Sequence, residues 1–204
     1  MAEIKILDYV PQLKNYIGDT NRKPWEILSD IDSVIEKKLR ELGDEYNIKD
    51  KVAIHKDAIV EANVIFKGPV IINKKCFVAA NCYFRSGVIL GADVTIGPSC
   101  EIKTSIILDG STIAHMNYVG DSIVGSDVNL EGGAVIANHF NEYISDQDKI
   151  IKVMAGDELI STGVIKFGAL IGDNSKLGAN SVTSPGTILK PGSIIGRLEL
   201  IKQH

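Results

Sequence analysis

The sequence predicts an all-β solenoid of short strands joined by tight corners. Three observations predict it. Apolar residues recur every six positions at Ile54, Val60, Phe66, Ile72, Val78, Phe84, Leu90, Ile96, Ile102, Leu108 and Ala114, a run that chance would produce roughly once in a thousand. A second column, four residues on, is small or β-branched: Ala58, Val64, Val70, Cys76, Cys82, Val88, Val94, Cys100, Ile106 and Thr112. Aromatics make up only 6% of a chain that is 45% apolar, which suits an interior too narrow for many rings. A period of six fits neither a helix nor the alternation of a hairpin array.

Taken in order, residues 1–50 lie outside the repeat. Leu28, Ile31, Ile35, Leu39 and Leu42 follow helical spacing, with Pro24 placed to open the helix and Gly43 to close it. This helix is expected to cap the first coil and hide its open strand edge. From residue 51 the hexads begin. Glycine often follows the large aliphatic, as in Leu90-Gly91, Ile96-Gly97, Ile171-Gly172 and Leu177-Gly178, where it relieves the corner backbone. The register slips at His115-Met116-Asn117-Tyr118. It resumes at Val124, Leu130 and Ile136, and again at Ile165, Ile171, Leu177, Thr183, Leu189 and Ile195. Residues 138–164 break the repeat as a long inserted loop, the kind of interruption that usually carries function. The expected domains are therefore a helical cap, 1–50, and a solenoid, 51–204.

Composition narrows the function. The 204 residues carry a net charge of −4 and a pI near 5.6, which argues against a nucleic-acid or anionic-membrane surface driven by bulk charge. No apolar run approaches the ~18 residues of a membrane helix, and the start lacks a basic and then apolar secretory signal. A cytoplasmic location is expected. Cys76, Cys82 and Cys100 lack metal or redox spacing, and each falls in the small inward slot, so their expected role is packing.

The pattern aliphatic-Gly-x-x-small-x resembles the hexapeptide repeat of left-handed parallel β-helix proteins. That resemblance implies coils of three hexads, about seven of them, stacked at ~4.8 Å. Residues 18 apart then stack. Lys67, Arg85 and Lys103 form a cationic column, and Glu101 lies over Tyr83. The column reads either as an anion site or as an ion-pair ladder. His115, beside the slip, lies at the opposite end of one face from Lys103, so a site using both needs distortion or a second subunit. Three-histidine zinc chemistry is not expected: His115 and His139 are far apart in sequence and no closely spaced pair occurs. No metal site is expected.

The stretches His115-Met-Asn-Tyr-Val-Gly-Asp121, Val128-Asn-Leu-Glu-Gly-Gly-Ala-Val-Ile-Ala-Asn138 and Lys166-Phe-Gly-Ala-Leu-Ile-Gly-Asp173 are similar to the acetyltransferase domain of bifunctional N-acetylglucosamine-1-phosphate uridyltransferase/glucosamine-1-phosphate acetyltransferases, including the archaeal sugar-1-phosphate nucleotidylyltransferase type. The resemblance implies an acetyl-CoA-dependent N-acetyltransferase acting on an amino-sugar 1-phosphate, most simply glucosamine-1-phosphate, with no metal needed. It places the general base on His115, with Glu101 and Asn138 beside it in the catalytic set. It places substrate binding on Arg85, Lys103, Tyr118, Asn129 and Lys166, and the acetyl-CoA positions on Ala179 and Arg197. It implies a homotrimer with sites between subunits, in keeping with outward apolar positions at Ile59, Ile65, Ile71, Phe77, Ile89, Ile107 and Ile113. Departures are His139 where an aromatic is usual, Ala179 where serine is common, the long loop, and no Gly-rich phosphate loop near the start. A separate nucleotidyltransferase is the partner such a chain would work beside. Transfer to another amino sugar or from another acyl-CoA, and a sugar-phosphate-binding trimer without turnover, stay open.

Overall fold

The computed structural model describes residues 4–202. They form a left-handed parallel β-helix with three faces. The second face is a seven-stranded parallel sheet, Ile59–Val60, Phe77–Val78, Thr95–Ile96, Thr112–Ile113, Asn129–Leu130, Lys176–Leu177 and Ile194–Ile195, so the prism has seven coils. The first face runs from Val52–His55 to Thr187–Leu189, and the third from Ile65–Lys67 to Leu200–Ile201. The strands Tyr83–Leu90 and Glu101–Ile107 bend from the third face into the first.

The interior matches the hexad reading over most of its length. Ile72, Val78, Phe84, Leu90, Ile96 and Ile102 are fully buried, with Cys76, Cys82 and Cys100 beside them. The glycines act differently from the sequence expectation. Gly91, Gly97, Gly172 and Gly178 do not adopt positive φ. They are needed because the next coil's backbone lies against them: a Cβ on Gly97 would come 2.5 Å from the Ala114 carbonyl oxygen. The left-handed corner positions fall instead just before the small inward residue, at Asn63, Asn81, Asp93, Asp127, Asn174 and Asn180 among others, and Asn and Asp tolerate that conformation best.

The register slip is also elsewhere. Arg85 pairs with Lys103, but Val88 pairs with Ser105, so the corner from third to first face is one residue shorter in this coil. The next coil keeps the short corner, since Gly120 pairs with Lys103 and Ile123 with Ile106. Consequently Ile107 and Ile113 face the core, where Leu108 and Ala114 were expected. Ile106 and Leu108 join an outer cluster, and Ser105 and Ser111 take the small inward slots expected for Ile106 and Thr112. The tightened corner is closed by serines. Ser105 Oγ donates to the Lys103 carbonyl and Ser122 Oγ to the Gly120 carbonyl, both at 2.7 Å. Thr104, β-branched, is held at φ +47°, a conformation costly enough to mark the corner as constrained.

The N-terminal segment lies along the first face. Helices α1 (Pro24–Ser29) and α2 (Ile31–Leu39) replace the single helix expected, with a break at Asp30. Ile31 and Ile35 pack with Trp25, Ile27 and Leu28 onto the outward side chains Ile71, Ile89, Ile106, Ile123, Leu170 and Ile188. Part of the apolar surface that suggested a partner chain is thus covered within the chain, and burying each such side chain stabilises by about 1.5–3 kcal/mol. The open edge of the first coil is met by the antiparallel strand Tyr46–Lys49.

Residues between Val135–Ile136 and Ala169–Ile171 leave the prism at the same third-to-first corner. They carry an antiparallel hairpin, Lys152–Ala155 with Glu158–Ser161. Ile165 is 46% exposed and belongs to this excursion, so the repeat resumes at Ile171 and not at Ile165. Ile151, Val153 and Phe167 join the outer cluster, and Trp25 meets Phe167 edge-on at 5.6 Å. Among the described residues no helix is long and apolar enough to cross a membrane.

Candidate functional site

The candidate residues gather at two edges of the prism. The first is the shortened corner between third and first faces. Here Arg85 Nε donates to Glu101 Oε1 at 2.7 Å, and Lys103 Nζ lies 2.5 Å from Asp121 Oδ2. The Lys103 and Asp121 side chains are each 9% exposed. Asn138, also buried, donates its amide to Asp121. Tyr118 lies back over Gly120, where a Cβ would come 2.5 Å from its hydroxyl oxygen. Burial, aided by Asp121 and Glu101, raises the Tyr118 pKa, so its hydroxyl stays a donor. His139 Nδ1 lies 3.0 Å from Asn138 Oδ1.

The cationic column is therefore real in position, with Lys67, Arg85 and Lys103 in register, but two of its three members carry an internal carboxylate partner. Asp121 is the residue that the sequence reading left without a role. Its signal was present: it closes the His-x-x-Tyr-x-Gly-Asp element. Around this corner opens a cavity of about 640 Å³, lined by Asp121, Thr104, Ser86 and Lys166, with Ser29, Asp32 and Ser33 from the turn and helix opposite. Lys166 makes no ion pair among the described residues.

The second edge lies between second and third faces. His115 is exposed there, and its ring rests on the next coil, so that a Cβ on Gly132 would stand 2.6 Å from Nε2. His115, Asn129, Gly132, Gly133 and Ala179 line one groove of about 590 Å³. Asn129, Lys176 and Arg197 line an adjoining one of about 430 Å³. Gly132, Gly133 and Ala179 keep the groove open beside the imidazole, while Met116, Asn129, Glu131 and Asn180 also line it.

The structure thus brings Arg85, Glu101, Lys103, Tyr118, Asn138 and Lys166 to one edge and His115, Asn129, Ala179 and Arg197 to the other. Within one chain the edges are a face apart, roughly 15 Å at ~3.3 Å per strand residue. Tyr118 leans toward its own edge and away from His115. Among the described residues no group of three or more His, Cys, Asp or Glu is arranged to hold a metal ion.

The comparisons with known proteins agree with this fold. Residues 168–196 match the hexapeptide repeat of succinyl-transferase, and residues 66–158 match the GMPPB C-terminal domain. The chain thus carries sequence of the hexapeptide-repeat kind. Among the proteins it resembles is the bifunctional sugar-1-phosphate nucleotidylyltransferase/acetyltransferase of Sulfurisphaera tokodaii. It is 34% identical over 183 residues, covering 87% of this chain and 43% of that protein. The bifunctional protein GlmU of Methanococcus vannielii is 35% identical over 194 residues, 92% of this chain and 45% of that protein. The GlmU of Prochlorococcus marinus is 34% identical over a shorter stretch of 74 residues. This hexapeptide-repeat chain spans less than half the length of the first two relatives.

Proposed function

We propose that the chain transfers an acetyl group from acetyl-CoA to the amine of an amino-sugar 1-phosphate, with glucosamine-1-phosphate as the simplest substrate. The observation that carries this reading is the division of labour between the two edges. One offers two fixed cations, a lysine, a tyrosyl hydroxyl and two carboxylates. The other offers an accessible imidazole over a groove floored by glycine. The first suits a phosphate joined to an amine-bearing sugar, and the second suits proton removal from an amine attacking a thioester.

In this reading Arg85, Lys103, Tyr118 and Lys166 hold the phosphate, and Glu101, Asn129 and Asn138 orient the sugar. His115 takes the amine proton. The Gly133 N–H is spent on the His115 carbonyl at 3.0 Å, which leaves the Gly132 N–H as the backbone donor for the developing oxyanion. Ala179 and Arg197 contact acetyl-CoA. No covalent acyl-enzyme is involved, since all three cysteines are buried in the prism. Holding amine and thioester together supplies much of the rate.

One chain cannot close both edges on so short a substrate. We therefore place the site between protomers of a homotrimer, with the His115 edge of one facing the Arg85–Lys103 edge of the next. The exposed Ile59, Ile65, Ile194 and Leu200 leave apolar surface for that contact. The product keeps its 1-phosphate, so a nucleotidyltransferase is the partner activity, and the setting is the cytoplasm. The names of the relatives support this reading. The test is thiol release from acetyl-CoA across a panel of amino-sugar phosphates. Glucosamine-1-phosphate should be acetylated by the wild type, and His115→Ala should lose at least a hundredfold in kcat. Absence of turnover with every sugar phosphate would leave a binding trimer.

A further inference from the structure

The two groups assigned above to the acyl donor share one protein partner. Glu131 Oε2 accepts hydrogen bonds from the Ala179 amide at 2.9 Å and from Arg197 Nε at 2.8 Å, and Oε1 accepts from Arg197 Nη2 at 3.0 Å. Glu131 follows the fifth strand of the second face, Ala179 the sixth and Arg197 the seventh. The bridge therefore spans three coils. It stands between the groove that holds His115 and the one that holds Lys176, and Glu131 lines both.

Its chemistry makes it exchangeable. The side chains are 42% and 73% exposed, and an exposed ion pair is screened and weak. Arg197 keeps the Glu131 carboxyl below the usual carboxylate range, so Glu131 is charged at neutral pH. The carboxylate occupies a guanidinium fork and an amide that an incoming phosphate or carbonyl could take. With Glu131 displaced, Arg197 and Lys176 face the groove as free cations.

We infer that Glu131 is a displaceable counter-ion of the donor groove, one that a phosphate-bearing acyl donor must exchange for itself on Arg197. The inference rests on the acyl-transfer reading for the identity of the donor. It makes Glu131 a specificity residue: its charge opposes anionic donors and is neutral toward donors without phosphate, and Arg197 repays only the anionic ones.

The experiment is calorimetric titration of the full chain with coenzyme A, for wild type, Glu131→Gln, Arg197→Gln and the double variant. Turnover with acetyl-CoA and with S-acetyl-pantetheine, which lacks phosphate, is measured alongside. Glu131→Gln should bind coenzyme A roughly threefold tighter, with the gain shrinking as salt rises. Arg197→Gln should bind more weakly, and adding Glu131→Gln to it should recover little. The KM for S-acetyl-pantetheine should not follow these changes. Unchanged or weaker coenzyme A binding by Glu131→Gln, or an equal shift for the phosphate-free donor, would overturn the inference. If coenzyme A binding responds as expected but no amino-sugar phosphate is acetylated, the inference stands and the substrate reading fails. If acetylation proceeds and Glu131→Gln changes nothing, the inference alone fails. If wild type binds no coenzyme A, both fall.

Discussion

Lys103 and Asp121 are joined by a 2.5 Å ion pair beneath the surface of the shortened corner, and Asn138 donates to the same carboxylate. The pair holds two of the assigned site residues by one that sequence reading passed over. Removing Asp121 strands the Lys103 ammonium in a buried position. Asp121→Ala should therefore cost about 3 kcal/mol in denaturant unfolding, as breaking a buried pair does. Replacing both residues together, Lys103→Met with Asp121→Leu, should recover most of that loss without restoring affinity for the sugar phosphate. Single and double variants of equal stability would contradict the buried-pair account.

Gly132 supports the His115 ring. An alanine there would put a methyl group 2.6 Å from Nε2, and the exposed ring would swing aside more cheaply than the coil would open. Gly132→Ala should therefore melt within a few degrees of wild type and lose roughly a hundredfold in kcat, as misplacing a reacting group does. Thermal unfolding and thiol release measured on the same preparation check both halves.

The N-terminal segment and the insertion are tied through Trp25, which is 5% exposed and meets Phe167 edge-on. Trp25→Ala should cost about 3–5 kcal/mol. The loss should appear as one cooperative transition, since both rings belong to the cluster over the first face. A separate early transition for residues 4–45 would show that the segment is only loosely attached.

The three cysteines should be silent in the folded protein. Burial pushes the Cys76 thiol up to about 11. Cys82 and Cys100 stack in successive coils, where Cys82 Sγ donates to the Gly97 carbonyl at 3.1 Å and Cys100 Sγ to the Ala114 carbonyl at 2.8 Å; the closeness of the two thiols raises Cys100 and lowers Cys82. The lowered value does not make Cys82 reactive, because each thiol is only 1% exposed. At pH 8 a disulfide reagent such as DTNB should titrate no thiol in buffer and three in 6 M guanidinium chloride. Rapid labelling of the native chain would contradict the packing role.

The prism was legible because a six-residue period is dictated by its corners, and Ile72 through Ile102 point inward as read. The slip was not legible where it occurs. Ile107 and Leu108 are both large aliphatics, so the one-residue shortening at Thr104 left either register apolar. The discriminating signal was polar: Ser105 and Ser122 close the tightened corners through their hydroxyls. The two-edge separation of Lys103 and His115 was readable from the lattice alone. Asp121 was not, because its partners Lys103 and Asn138 are brought to it by stacking and by the exit of the insertion, neither of which local sequence displays. Helix α2 was readable from its spacing, but its resting place on Ile71 and Ile89 was not, since an amphipathic stripe does not say which apolar face it covers.

Co-expression of His115→Ala with Arg85→Ala chains tests most directly whether one site is built from two edges of different protomers. Each variant alone should be nearly inactive in acetyl transfer to glucosamine-1-phosphate. In randomly mixed trimers about one site in four would combine an intact His115 edge with an intact Arg85 edge, so the mixture should regain about a quarter of wild-type activity. Activity no higher than that of the two parents, in trimers shown by mass to contain both chains, would contradict a site shared between protomers.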